Sequence, residues 1–286
     1  MKTQTAVLKG AGLGLRRALL SPLSQQASLN VDFMEVAPEN WIGLGGRFGK
    51  QFRAFTERFP FVLHGLSLSI GSPSALDVEL VKKIKAFMDL HNIDIYTEHL
   101  SYCSDDGHLY DLMPIPFTAE AVQYVSERIK QVQDILERPI AMENVSYYAA
   151  PSPNEMDEVT FLNAVLQESG CNLLLDVNNI YVNATNHRYS AEAFLAALPG
   201  DRISYIHVAG HYNEAEDLIV DTHGADVIDP VWQLLNQAYE IHGVKPTLLE
   251  RDFNLPPVEE LLAEVQIIRD MQTKWLPMSK SKRVEG

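Results

Sequence analysis

The sequence predicts a single-domain (β/α)8 TIM barrel of the α/β class, and three observations carry that reading. A short apolar run, a polar cluster and an amphipathic stretch alternate along the chain, and the cycle recurs eight times. Several of the apolar runs are nearly continuous, as in parallel strands covered on both faces. The length, 286 residues, suits one barrel, which commonly needs about 250. An open doubly wound sheet is the alternative, but no GxGxxG or GxxxxGK[ST] follows an early strand to support a nucleotide-binding version.

The strands are expected at 10–15, 32–36, 61–64, 93–98, 139–143, 172–176, 203–207 and 246–250. Phe48, Phe52, Phe55 and Phe59 predict an aromatic-faced helix after the second strand. Leu80, Ile84, Phe87 and Met88 repeat at helical spacing after the third, and Val122, Val125, Ile129, Val132 and Leu136 after the fourth. Asp229-Pro230 reads as an N-cap followed by proline at the first helical position, with Gly243 closing that helix. Leu261, Leu262, Val265 and Ile268 form the last apolar stripe. The barrel domain is expected over residues 1–272, and 273–286, with Lys280, Lys282 and Arg283, as a flexible tail.

Composition narrows the function classes. The formal charge of −15 repels phosphate backbones, so no nucleic-acid partner is expected. Carboxylates that bind cations count as negative in that sum. The two cysteines, Cys103 and Cys171, lie far apart and form no CxxC, which fits a reducing compartment. No signal pattern and no membrane-length apolar run appears. A cytoplasmic protein without a membrane partner is expected.

Barrel enzymes place their chemistry at the C-terminal ends of the strands. Here those ends carry Glu35 with Glu39 and Asn40, then His64, Glu98-His99, Glu143-Asn144, Asp176 with Asn178 and Asn179, His207 with His211, and Glu250. The loop after the seventh strand adds Asp221 and His223. By the period of two, Thr97 shares a face with His99, Leu174 with Asp176, Tyr205 with His207 and Leu248 with Glu250, while Glu98 points the other way. A lone histidine at a strand end is usually a hydrogen-bonded structural group, and a lone acid is often a helix cap. The set reads differently. Several carboxylates buried together are costly unless cations neutralise them, and imidazoles with carboxylates in one mouth are ligands for zinc or iron. His91, His187 and His242 sit in or beside helices or loops and are left out, as is His108.

The segments GLGLR, APENW, HGLSLSIG, TEHLSY, ENVS, LLDVNN, HVAGH, DTHG and LLERD, in this order, resemble the multinuclear non-heme iron-dependent oxidases of the xylose isomerase-like barrel superfamily. That resemblance implies a dioxygen-using enzyme with two or three iron ions, zinc being an alternative occupant on purification. It implies as substrate a cysteine-containing, ribosomally made precursor peptide, presented by a small partner protein. The site is also similar to the trinuclear centre of the endonuclease IV and xylose isomerase-like barrels. Carried over, that pattern puts one metal on His64 and His99 and makes Glu143 the bridge to a second, completed by Asp176, His207 and Glu250. Asp221 and His223 would hold a third, near Asn178 and Asn179, where Asn179 stands in place of a histidine of the endonucleases. Glu143, Asp176 and Glu250 are expected to be catalytic, with Glu35, Glu39, Asn40, Asn178, Asn179 and His211 behind the ligands or touching substrate. A metal-dependent phosphodiesterase or isomerase on the same barrel is the alternative, as is a non-catalytic metal-binding accessory protein.

Overall fold

The computed structural model describes residues 8–104, 107–149, 154–215 and 217–275. The strands are β1 (Ala11–Gly14), β2 (Phe33–Val36), β3 (Phe61–His64), β4 (Tyr96–His99), β5 (Ser101–Ser104), β6 (His108–Pro114), β7 (Ala141–Glu143), β8 (Asn172–Asp176), β9 (Ile203–Ala209), β10 (Tyr212–Ala215), β11 (Leu218–Val220) and β12 (Thr247–Glu250). The helices are α1 (Leu20–Gln25), α2 (Gly46–Thr56), α3 (Val78–His91), α4 (Ala119–Leu136), α5 (Glu158–Ser169), α6 (Val177–His187), α7 (Ala191–Ala196), α8 (Asp229–His242) and α9 (Val258–Trp275).

Eight strands close in the order β1-β12-β9-β8-β7-β4-β3-β2, with parallel pairing throughout. This is a TIM barrel. All eight expected strands are present, some a few residues shorter or longer. Two antiparallel hairpins, β5–β6 and β10–β11, were not expected. They follow directly on β4 and β9 and so stand at the strands' C-terminal ends. Short and interrupted by register shifts, they show no clean alternation in the sequence.

The helical stripes pack as their spacing implies. Val122, Val125, Ile129, Val132 and Leu136 of α4 are buried, as are Ile84, Phe87 and Met88 of α3; Leu80 is half-buried, and its neighbour Val81 is the buried residue of that turn. In α2, Phe52 and Phe55 are buried, whereas Phe48 is exposed and Phe59 lies past the helix end. Helix α8 begins one residue earlier than read: Ile228 is the N-cap, Asp229 is helical, and Gly243 closes it with φ +75. The last helix reaches Trp275, so the first three residues of the expected tail are helical; 276–286 lie outside the described residues. Among the described residues no helix is long and apolar enough to cross a membrane. Cys103 and Cys171 are free and buried.

The barrel interior decides where the chemistry sits. Phe33, Val62, Ala141, Leu174, Tyr205 and Leu248 form a buried cluster separate from the larger core that contacts the helices. Each stands two residues before Glu35, His64, Glu143, Asp176, His207 or Glu250. The strand period of two therefore turns those six side chains inward, one layer nearer the mouth. Thr97 and His99 repeat the relation on β4. On β1 the corresponding positions are glycines. A Cβ on Gly12 would lie 2.6 Å from the Phe33 ring, which fills that space. A Cβ on Gly14 would lie 3.3 Å from the Arg16 guanidinium.

Candidate metal centre

Among the described residues, three groups of side chains whose atoms could ligate a metal converge at the mouth: His64, His99 and Glu143; then Glu143, Asp176, His207 and Glu250; then His223, Glu250 and Asp252. In the first, His64 Nε2, His99 Nε2 and Glu143 Oε2 form a near-equilateral triangle with edges of 3.1, 3.1 and 3.2 Å. Metal–ligand bonds of about 2.0–2.2 Å put neighbouring ligand atoms roughly 2.8–3.6 Å apart, so the triangle fits one cation. In the second, His207 Nδ1 lies 2.9 Å from Glu250 Oε2, 3.7 Å from Glu143 Oε1 and 3.9 Å from Asp176 Oδ2. Glu143 thus turns one oxygen toward each group, the geometry of a bridging carboxylate.

The third group differs from the expected pair. Asp221 Oδ1 does lie 2.8 Å from His223 Nε2. The other ring nitrogen, Nδ1, lies 3.4 Å from Glu250 Oε2 and 3.3 Å from Asp252 Oδ2. Asp252 was not among the expected ligands. The signal for it was its place two residues after Glu250 in LLERD. Arg16, in GLGLR, is likewise outside the expected set. It donates to Asp252 Oδ1 through Nε at 2.7 Å and through Nη2, and reaches Glu250 Oε1 at 3.3 Å.

The carboxylates divide their labour. Asp176 Oδ1 accepts the Asn179 backbone N–H at 2.7 Å and so caps α6, and Glu250 Oε1 accepts from Arg16. Their other oxygens, Asp176 Oδ2 and Glu250 Oε2, are buried without a hydrogen-bond partner, as are Glu143 Oε2, His207 Nδ1 and His223 Nε2. Orphaned polar atoms in a folded interior are rare and costly. Here they cluster and face one another, and this donor set of imidazole and carboxylate fits a borderline cation such as zinc or iron.

In the protein alone, protons do the neutralising. Burial disfavours a charged His99, but Glu143, Glu98 and Glu250 outweigh it and push its pKa up to about 9. Burial also opposes the Glu143 carboxylate, yet His64 and His99 hold it well below the usual range. Burial and then the charge of Glu143 push Asp176 far upward. His207 rises well above the ordinary histidine value because Glu35 and Glu250 overcome its burial. His223 does the same through Asp221 and Glu250.

The remaining expected residues take varied places. Glu35 Oε2 contacts Tyr205 Oη and His207 Nε2. Glu39 does not face the cluster: its Oε1 accepts from the amides of Leu66 and Ser67, at 2.8 and 3.0 Å, and so ties down the loop after His64. Asn40 is exposed at the rim, its carbonyl accepting from Arg17. Asn178 donates to Asp221 Oδ1 at 2.9 Å and its own Oδ1 meets His211 Nδ1 at 2.7 Å. His211 stacks on Tyr181 and joins no ligand group. Asn179 Nδ2 reaches the Asn144 carbonyl at 3.1 Å and Glu143 Oε1 at 3.4 Å, and its Oδ1 is buried without a partner. Glu98 faces away from the barrel axis, accepting from the Leu68 amide. His187 and His242 contact backbone carbonyls and His91 the Thr56 hydroxyl, away from the centre.

Above the centre opens a cleft of about 720 Å³, lined in part by Arg16, His64, His99, Asp221, His223 and Glu250. Leu66, Leu109, Tyr148 and Phe253 line it too and are each more than 40% exposed, an apolar rim around a charged floor.

Comparison with known proteins gives the family and the fold. The model of a family described as RiPP precursor modification enzyme MbnB/TglH/ChrH matches residues 10–273. A UPF0276 protein of Shewanella sediminis is 66% identical over 261 residues, 91% of this chain and 94% of the relative. A UPF0276 protein of Pseudomonas aeruginosa PAO1 is 58% identical over 271 residues, 95% of each chain. Among solved structures, the 3-keto-D-glucoside 4-epimerase YcjR from E. coli superposes with a TM-score of 0.61 at 12% identity, over 92% of this chain and 100% of that one. Endonuclease IV from Thermus thermophilus superposes with a TM-score of 0.58 at 14% identity, over 92% and 98%. At such identities these two likenesses speak to the fold alone.

Proposed function

Because this chain belongs to the RiPP precursor modification enzyme family MbnB/TglH/ChrH, we propose that it is a multinuclear iron-dependent, dioxygen-using oxidase acting on cysteine residues of a ribosomally made precursor peptide. The observation that carries the reading is the convergence of buried, unpartnered imidazole and carboxylate atoms at one barrel mouth. His64, His99 and Glu143 would hold one ion, and Glu143, Asp176, His207 and Glu250 a second. His223 would hold a third with Asp221 on one side or Glu250 and Asp252 on the other. Iron bound there would supply a Lewis acid for a substrate thiolate and the electrons that reduce dioxygen.

The protein's own residues do the rest. Glu143 would tie the two positions together, because one of its carboxylate oxygens faces each group. Arg16 offsets part of the charge of Glu250 and Asp252 and holds their inner oxygens toward the centre. Glu39 and Glu98 anchor the loop after His64 through backbone amides, which fixes that imidazole's approach. The apolar rim grips the residues flanking the reacting cysteine, and burial on that rim favours a peptide over a small polar metabolite. A small partner protein would deliver the peptide.

Coexpression of this chain with a cysteine-bearing precursor encoded beside it, and with any adjacent small protein, tests the reading by mass spectrometry of the peptide. A mass change on a cysteine, with dioxygen consumed only in the peptide's presence, is expected. An unmodified peptide with iron confirmed in the protein would count against it. Cleavage of abasic DNA by the same preparation would favour a phosphodiesterase of the endonuclease IV type.

A further inference from the structure

We infer that Glu35 and Thr97 fix opposite tautomers in two of the ligand histidines, so that His207 presents Nδ1 and His64 presents Nε2 to bound cations; this rests on the metal-centre reading above. Five buried side chains on four strands form one chain of contacts beneath the ligands. His207 Nε2 lies 2.8 Å from Glu35 Oε2, and Tyr205 Oη lies 2.6 Å from the same oxygen. Tyr205 Oη lies 3.1 Å from Thr97 Oγ1, which lies 2.8 Å from His64 Nδ1. All five residues are at most 4% exposed, so solvent offers no substitute partner.

Counting protons gives the chain one polarity. A carboxylate oxygen that faces two possible donors accepts from both, so His207 Nε2–H and Tyr205 O–H both donate to Glu35 Oε2. Tyr205 has then spent its proton, and its oxygen can only accept from Thr97. The Thr97 hydroxyl has one proton, which goes to Tyr205 Oη or to the Leu63 carbonyl at 3.2 Å. Neither route leaves a proton to offer His64. Thr97 Oγ1 must therefore accept from His64 Nδ1–H, leaving the His64 Nε2 lone pair for the triangle with His99 and Glu143.

The two positions are consequently unequal. His207 donates directly to a carboxylate, which raises the basicity of a ligand imidazole, whereas His64 donates to a neutral hydroxyl. The cation held by His207 is bound by the more electron-rich ring. Glu35 is a positioning residue for the second group and Thr97 for the first. Local spacing pairs neither with its histidine: Glu35 and His207 are 172 residues apart, and His64 and Thr97 33.

The test uses the full chain, labelled with nitrogen-15 in histidine and loaded with zinc as a diamagnetic probe. Long-range correlation spectra of the rings read each tautomer. We expect His207 to carry its proton on Nε2 and His64 on Nδ1. Glu35→Leu should disturb the His207 pattern and weaken one zinc equivalent about 10–100-fold, with Glu35→Gln restoring it because an amide oxygen accepts in the same place. Thr97→Val should disturb His64 instead, and Thr97→Ser should restore it. The wild-type spectrum stands even if a variant fails to fold. The same tautomer at both rings, or a His207 pattern unmoved in Glu35→Leu, overturns the inference while leaving the metal centre intact. Wild-type protein that takes up no zinc removes the metal centre and this inference with it.

Discussion

Glu143→Ala is the sharpest perturbation of the proposed centre, because one side chain serves two ligand groups. Its Oε2 stands 3.1 and 3.2 Å from the two imidazoles of the first group, and its Oε1 stands 3.7 Å from His207 in the second. Truncation leaves the first group only two imidazoles, and the second one imidazole and two carboxylates. More than one metal equivalent should therefore be lost. A cation present at about 100 times its Kd adds about 2.7 kcal/mol to the folded state. For a chain of this size, 1 kcal/mol moves Tm by about 2 °C. Losing two cations should then erase roughly 10 °C of the stabilisation that zinc gives the wild type. Elemental analysis and thermal unfolding with and without zinc measure both quantities. His211→Ala is the control, since His211 joins no ligand group, and should bind metal nearly as the wild type does. A Glu143→Ala protein with unchanged metal content and an unchanged zinc-induced shift would refute the bridge.

Two further outcomes are expected. At pH 8, zinc binding to protein stripped by a chelator should release protons, because His99, with its pKa near 9, is protonated there and a ligand imidazole must be neutral. Acidification favours the protonated form and should weaken binding; calorimetry in buffers of different ionisation enthalpy counts the protons, and zero release would contradict the assignment of His99. Arg16→Gln should destabilise the stripped protein by about 1.5–3 kcal/mol, the range for a hydrogen bond to a charged group, since Asp252 and Glu250 lose their shared donor. Added zinc should recover part of that loss, and urea unfolding with no difference from wild type would show that Arg16 holds neither acid.

The strand ends were legible because a parallel strand forces alternate side chains onto one face. Leu174 before Asp176, Tyr205 before His207 and Leu248 before Glu250 announce an inward-facing pair, and the barrel turns each of them inward. The inward direction of His99, Asp176, His207 and Glu250 follows from that period, His64 and Glu143 stand out as polar groups at strand ends, and the family is legible from motifs strung along nearly the whole chain. Three things were settled only by closure. Arg16 and Asp252 meet because β1 and β12 are neighbours in the closed barrel, although they lie 236 residues apart in sequence. Glu39, one turn beyond a strand end, looked like Glu35 in sequence yet faces the amides of a neighbouring loop. The partner of each buried histidine nitrogen depends on distances across the barrel, which no local pattern encodes. Sequence sets which way a side chain leaves its strand, through the alternation of the backbone; what it meets there is decided by the circular order of strands and the width of the barrel.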